Sequence, residues 1–192
     1  MFVDYLTVLM INLAAGTALL AYFVLKGINS EDKKGFAAGF GVVGLVALIG
    51  GMQMTFNWPL PGSYNIAYGE STLLFGAVFL GAALALAQGW DLLPISIFAF
   101  FAGVNALVVG VRIIDLPLSK HPVLTGIGFI LAGLGGIAAA PTLHLLKKNQ
   151  NFRYLAAAVL LITSVFWAYT FYNSVWAHLE SFSSWVPLTM GQ

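Results

Sequence analysis

The chain has no cysteine and very little charge. Across 192 residues there is no Cys, and only 8% of residues are Asp, Glu, Lys or Arg. The first absence excludes disulfides, thiolate metal sites, iron–sulfur clusters and a cysteine nucleophile. The second sets the chain apart from soluble domains, where about 25% of residues are charged. With net charge +1 there is no basic field for nucleic acid and no acidic field for a cationic partner. Serine-protease, P-loop and zinc-protease signatures are also lacking. No reaction can therefore be assigned from a motif, and whether the protein is an enzyme stays open.

What is present is hydrophobicity. Apolar residues make up 60% of the chain, and mean hydropathy is +0.92. A spanning helix needs roughly 20 mostly apolar residues, because each adds about 1.5 Å across a core about 30 Å thick. Six stretches meet this: residues 4–25, 35–56, 71–88, 92–114, 122–146 and 152–177. The expected fold class is all-α, a polytopic membrane bundle of six transmembrane helices forming a single integral-membrane domain. Its first partner is the lipid bilayer. The first stretch has no basic segment ahead of it and no hydrophilic domain after it, so it reads as a span and not as a signal peptide.

The breaks between stretches have chemical causes. Gly27 follows the first helix, and Ser30 with Glu31 and Asp32 predicts a capped start to the second. Trp58-Pro59-Leu60-Pro61-Gly62 cannot continue a helix. Gly89 and Asp91 separate the third and fourth spans, Asp115-Leu116-Pro117 ends the fourth, and Ser119 is placed to cap the fifth. Lys147-Lys148-Asn149-Gln150-Asn151 is a short polar turn. Lys26, Lys33, Lys34, Lys147, Lys148 and Arg153 flank the first and fifth loops, so six of the eight basic residues share one side. The positive-inside rule makes that side cytoplasmic and puts both termini outside, with the chain in the cell membrane.

Small residues recur at every fourth position. Gly35 and Gly39, then Ala77, Gly81 and Ala85, then Ala102, Ala106 and Gly110, then Gly128, Ala132, Gly136 and Ala140 form four such rows. They predict close helix packing, with a homo-oligomer face as the other use. Pro141 predicts a kink in the fifth helix.

Most non-lysine polar groups fall at the outer end. The segment from Gln53 to Glu70 is the densest, with Asn57, Trp58, Tyr64 and Asn65 between them. Gln53, Asn57, Tyr64, Asn65, Glu70, Arg112 and Asp115 are the candidate ligand-binding residues of an outward-facing polar cup for a small solute. An ion pair from Arg112 to Glu70 or Asp115 is geometrically possible. Asn12 and Asn105 are amides within spans and are expected to hydrogen-bond across helices. Thr163, Ser164, Tyr169, Thr170, Tyr172 and Asn173 make the sixth helix the most polar. His121 and His178 are equally far from the turn at Asn149–Gln150, so both reach the same height, and with Glu180 they are a candidate site for zinc, iron or haem. His144 reads as a helix-end residue favoured by the dipole. The competing readings are a solute binder or transporter, an intramembrane metal or haem protein, and an accessory subunit of a larger membrane complex.

Three segments carry a resemblance. Asn57-Trp58-Pro59-Leu60-Pro61-Gly62-Ser63-Tyr64-Asn65-Ile66 with Gly69-Glu70, Gly89-Trp90-Asp91-Leu92-Leu93-Pro94, and His178-Leu179-Glu180-Ser181-Phe182 resemble a family of small archaeal and bacterial integral membrane proteins of unknown function. The likeness covers nearly the whole chain. It implies a multi-pass fold and a prokaryotic cell-membrane location, and it transfers no activity.

Overall fold

The computed structural model describes residues 6–186. Within them the chain forms six helices and no strand. We label them α1 (Leu6–Tyr22), α2 (Lys34–Asn57), α3 (Ser71–Gln88), α4 (Leu93–Asp115), α5 (Pro122–Lys148) and α6 (Gln150–Ser181). A π-helical turn, Phe23–Gly27, extends α1, and a second, Asn65–Glu70, leads without a break into α3. Counting these turns, all six helices are long and apolar enough to cross a membrane.

The expected spans agree with these helices apart from their ends. Residues 4 and 5 of the first span, Asp4 included, lie outside the described residues. Tyr64–Glu70 was expected as loop, but Asn65 onward is already helical, so the third span is Asn65–Gln88. Ser30 does not cap α2. Its hydroxyl bonds the Asp32 carbonyl, and Asp32 Oδ1 accepts from Lys34 N at 3.0 Å. Ser119 likewise acts one step early, accepting from His121 N ahead of α5. Pro141 stands inside an unbroken α5, so the helix absorbs its missing N–H without ending.

Each helix packs on its chain neighbours, and α6 closes the ring on α1. The loops gather at two ends. At one, Asn29 Nδ2 donates to Lys147 O at 3.0 Å, and Lys147 Nζ stands 3.7 Å from Asp91 Oδ1, so the first, third and fifth loops meet. This is the lysine end. At the other, Tyr68 OH donates to Leu118 O at 2.8 Å, joining the second and fourth loops near Leu6 and the end of α6. This is the terminus end.

The seams of the ring alternate. α2/α3, α4/α5 and α6/α1 are in intimate contact, and the three seams between these pairs are looser. Glycine explains the first two. A Cβ on Gly103 would lie 2.5 Å from Gly133 O and 2.6 Å from Ile137 N, and one on Gly44 would lie 2.5 Å from Leu80 N. Only hydrogen fits at such backbone contacts, and close approach of this kind is what holds helices together where lipid gives no hydrophobic drive. The rows expected from the sequence are partly displaced. On α4 the close-packed residues are Gly103 and Gly110, not Ala102, and on α5 Gly126 and Gly133 face α4 while Gly128 faces Trp167 of α6. Gly103 and Gly110, like Gly126 and Gly133, stand seven residues apart, and Gly136 of the expected row also packs on α4.

Inside the ring lie two apolar clusters. One at the lysine end is built on Phe23, Phe40, Phe79 and Leu146. One toward the terminus end takes Leu9, Met54, Tyr68, Ile113, Phe129 and Trp167 from six different segments. Gly103→Ala is expected to destabilise the protein in detergent by about 1–3 kcal/mol, the usual cost of overpacking. Gly135→Ala should be within about 0.5 kcal/mol of neutral, because its Cβ would meet nothing nearer than Leu160 Cδ2 at 3.8 Å. Paired thermal unfolding curves check the contrast.

Candidate functional site

The terminus end is organised by the loop between α2 and α3. Trp58 takes a left-handed conformation (φ 48°) and ends α2. Asn65, completely buried, then binds the turn from both sides. Its Oδ1 accepts from Leu60 N at 3.0 Å, and its Nδ2 donates to Leu60 O. Asn65 is therefore a structural residue of the loop, not a ligand of the cup. The side chain does what a backbone turn would do, because Pro59 and Pro61 on either side of Leu60 have no N–H to donate.

From this loop an aromatic series runs into the bundle. Tyr64 stacks on Tyr68 (centroids 6.3 Å apart), Tyr68 meets Phe129 edge-on at 5.7 Å, Phe129 meets Trp167 edge-on at 5.6 Å, and Trp167 stacks on Phe171 at 5.1 Å. Trp167 is fully buried, and its indole N–H has no partner. Tyr64 thus supports a packed core more than it rims an opening.

The other expected cup residues pair along their own helices. Asn57 Nδ2 donates to Gln53 Oε1, and both residues are exposed on α2. Arg112 Nη1 pairs with Asp115 Oδ2 on α4, with both side chains more than half exposed. Arg112 does not reach Glu70. Asn105 Nδ2 lies 3.4 Å from Ser71 Oγ, which sets Glu70 near the level of Asn105, whereas Arg112 is two turns further along α4, about 10 Å.

The histidines and Glu180 are not brought together either. Among the described residues no three of His, Asp and Glu lie close enough to hold a metal ion. Equal height does not give equal azimuth. His121 is exposed at the start of α5. His178 lies on the inward row of α6, after Ala157, Ser164, Trp167 and Phe171, and shares a cavity of about 380 Å³ with Thr7 of α1, Val175 and Phe182. Glu180 is exposed on the far side of the same helix. The inward row faces α1, because the α6/α1 seam is tight and the α5/α6 seam is loose.

The amides within spans behave as expected. Asn12 Nδ2 donates to Val43 O at 2.9 Å and ties α1 to α2, and Asn105 reaches Ser71 across α3/α4. Sequence reasoning passed over Ser71 and Thr55. No local pattern marks either, since the first matters only through Asn105, a residue 34 positions away.

These placements leave Glu70. It ends the π-helical turn, is half-buried, and lies inside the candidate span Asn65–Gln88. Among the described residues no basic group pairs with it. Ser71 follows it, and Gly69 before it packs on Thr55, whose hydroxyl is buried without a partner. π-Turns interrupt α-helices often at functional sites, because the extra residue re-aims the side chains beside it.

The family model for "Protein of unknown function (DUF981)" matches residues 1–181. The chain belongs to this family. No curated protein and no solved structure matches it. The DUF981 match runs through the turn that carries Glu70, the α3–α4 connection and all six helices.

Two substitutions separate structural from peripheral groups at this end. Asn65→Ala strands the part-buried N–H and C=O of Leu60 and is expected to cost about 1–3 kcal/mol in all. Arg112→Ala breaks an exposed pair and should cost less than about 1 kcal/mol. Urea or thermal unfolding in detergent measures both.

Proposed function

We propose that this DUF981 protein crosses the cell membrane six times with both termini outside, and that it binds a small monovalent cation at Glu70, approached from the outer side. The carrying observation is a carboxylate within an apolar span that, among the described residues, no basic group neutralises. Carboxylates in hydrocarbon are expensive and mark ion or substrate sites. A cation from outside supplies the charge that the chain does not.

The surroundings favour a cation over an anion. Asn105 spends its amide N–H on Ser71 and keeps its carbonyl oxygen, and Ser71 and Thr55 add hydroxyl oxygens near the same level. Neutral oxygens at the level of one carboxylate suit a hard cation or an ammonium group. Glu70 is little more than a turn from Asn65 and far from Gln88, so the outer side is the near one. The α3/α4 seam, bridged by Asn105 and Ser71, is one of the three loose seams of the ring.

Two experiments bear on this reading. Single cysteines at Ser63 and Ser184 are expected to react with an impermeant maleimide in intact cells, and a cysteine at Asn149 only after permeabilisation; the reverse pattern inverts the orientation. For the site, dicyclohexylcarbodiimide, which reacts with protonated carboxyls in apolar surroundings, is the probe. Mass spectrometry should find the adduct on Glu70, formed more slowly when sodium, lithium or ammonium chloride is raised at constant ionic strength. Glu70→Gln should abolish it. An adduct rate indifferent to all three cations rules out the proposed cation site.

A further inference from the structure

The α3/α4 seam also opens at the lysine end. There Gly81 and Ala85 of α3 with Pro94, Ile95 and Phe98 of α4 line an open surface groove of about 500 Å³, and Ile95 rests directly on Gly81. The groove lies within the span and its walls are apolar. Asp91, in the turn joining the two helices, is the charged residue that lines it. Asp91 is held in place, since its Oδ1 accepts from Leu93 N at 3.2 Å.

A second charge stands at the mouth. Lys147 Nζ is 3.7 Å from Asp91 Oδ1, and both side chains are about half exposed. That separation exceeds an N–H···O bond of about 2.7–3.2 Å. Lys147 therefore keeps its N–H donors for another acceptor, and Asp91 keeps its second oxygen. The Lys147 backbone is itself anchored, because its carbonyl accepts from Asn29 Nδ2. The result is an apolar slot within the span that ends in a fixed positive charge beside a fixed negative one.

We propose that this groove is a phospholipid site, with one acyl chain lying along the outside of the α3/α4 seam, the phosphate on Lys147 and a headgroup ammonium on Asp91. Charge complementarity selects phosphatidylethanolamine. Its phosphate and ammonium are neighbours of opposite sign, as are Lys147 and Asp91. Phosphatidylglycerol offers the phosphate but leaves Asp91 facing an anion with no compensating charge. Diacylglycerol offers the chains and neither charge. The proposal rests on the six-span reading and is independent of the site at Glu70.

The test is native mass spectrometry of the whole protein in mild detergent with equimolar phosphatidylethanolamine, phosphatidylglycerol and diacylglycerol. One phosphatidylethanolamine per chain is expected, with little diacylglycerol. Lys147→Ala should lower its retention about fivefold, the worth of one surface lysine to a lipid phosphate. Asp91→Asn retains the Oδ1 that accepts from Leu93, so the fold is kept. This variant should bind phosphatidylethanolamine and phosphatidylglycerol alike. Lys34→Ala, at the same end and outside the groove, should bind as wild type. Ile95→Trp from one wall and Ala85→Leu from the other should each displace the lipid.

Wild-type protein that prefers phosphatidylglycerol, or Lys34→Ala that weakens retention as much as Lys147→Ala, would overturn the site in favour of the general positive field of the lysine end. Filled-groove variants that fold and still retain lipid would overturn it too. Release of the chain from membranes by alkaline carbonate would overturn the spanning reading itself; a chain that stays in the membrane without headgroup selectivity refutes only the lipid site.

Discussion

Backbone against backbone is the contact on which the rest of this bundle depends. In α2/α3 and α4/α5 the helices approach until a Cβ at Gly44 or Gly103 would strike main-chain atoms. Lipid-facing helices gain nothing from hiding leucine, so this approach, with its dispersion energy, replaces the hydrophobic effect. It also sets the azimuth of each helix. Once Gly103 and Gly110 must face α5, Ile113 points into the core and Arg112 points out. The third tight pair, α6/α1, is made differently. There Ser164 Oγ donates to Ala14 O at 2.7 Å, a polar contact in place of a glycine.

The polar groups obey a related economy. Thr163, Thr170 and Ser174 of α6 return their hydroxyls to carbonyls one turn earlier, and Thr17 does the same in α1. The polarity that makes α6 the most polar helix in the sequence is thus largely satisfied within the helix. Asn12 and Ser164 donate across seams to backbone carbonyls that already serve the helix ladder. Against this background Glu70 stands apart, as a carboxylate in a span with no basic partner among the described residues.

The spans were legible because length, hydropathy and breakers such as Pro59-Leu60-Pro61 act locally. Helix content was missed where chemistry and conformation diverge: Tyr64 to Glu70 reads as polar loop, yet Asn65 onward is helical because its buried amide ties off the preceding turn. For the site, polarity could be read from the sequence but azimuth could not. Gln53, Arg112 and Asp115 were rightly placed at the terminus end, and each found a partner on its own helix. His121 and His178 share a height, but the inward face of α6 looks to α1. The seven-residue spacing of the glycines was hidden among alanines at four-residue intervals, and only backbone proximity tells the two apart.

The alternation of seams has a mechanical meaning. Three stiff two-helix leaves joined by three compliant edges form an object closer to a folding screen than to a barrel of six equal staves. In the proposed spanning arrangement, swelling or thinning of the bilayer would be taken up at α1/α2, α3/α4 and α5/α6, while the tight contacts within each leaf hold. The groove at Asp91 sits on one such edge, whereas the turn that carries Glu70 packs chiefly on α2, so α3 and α4 could part at the groove while that turn stays seated.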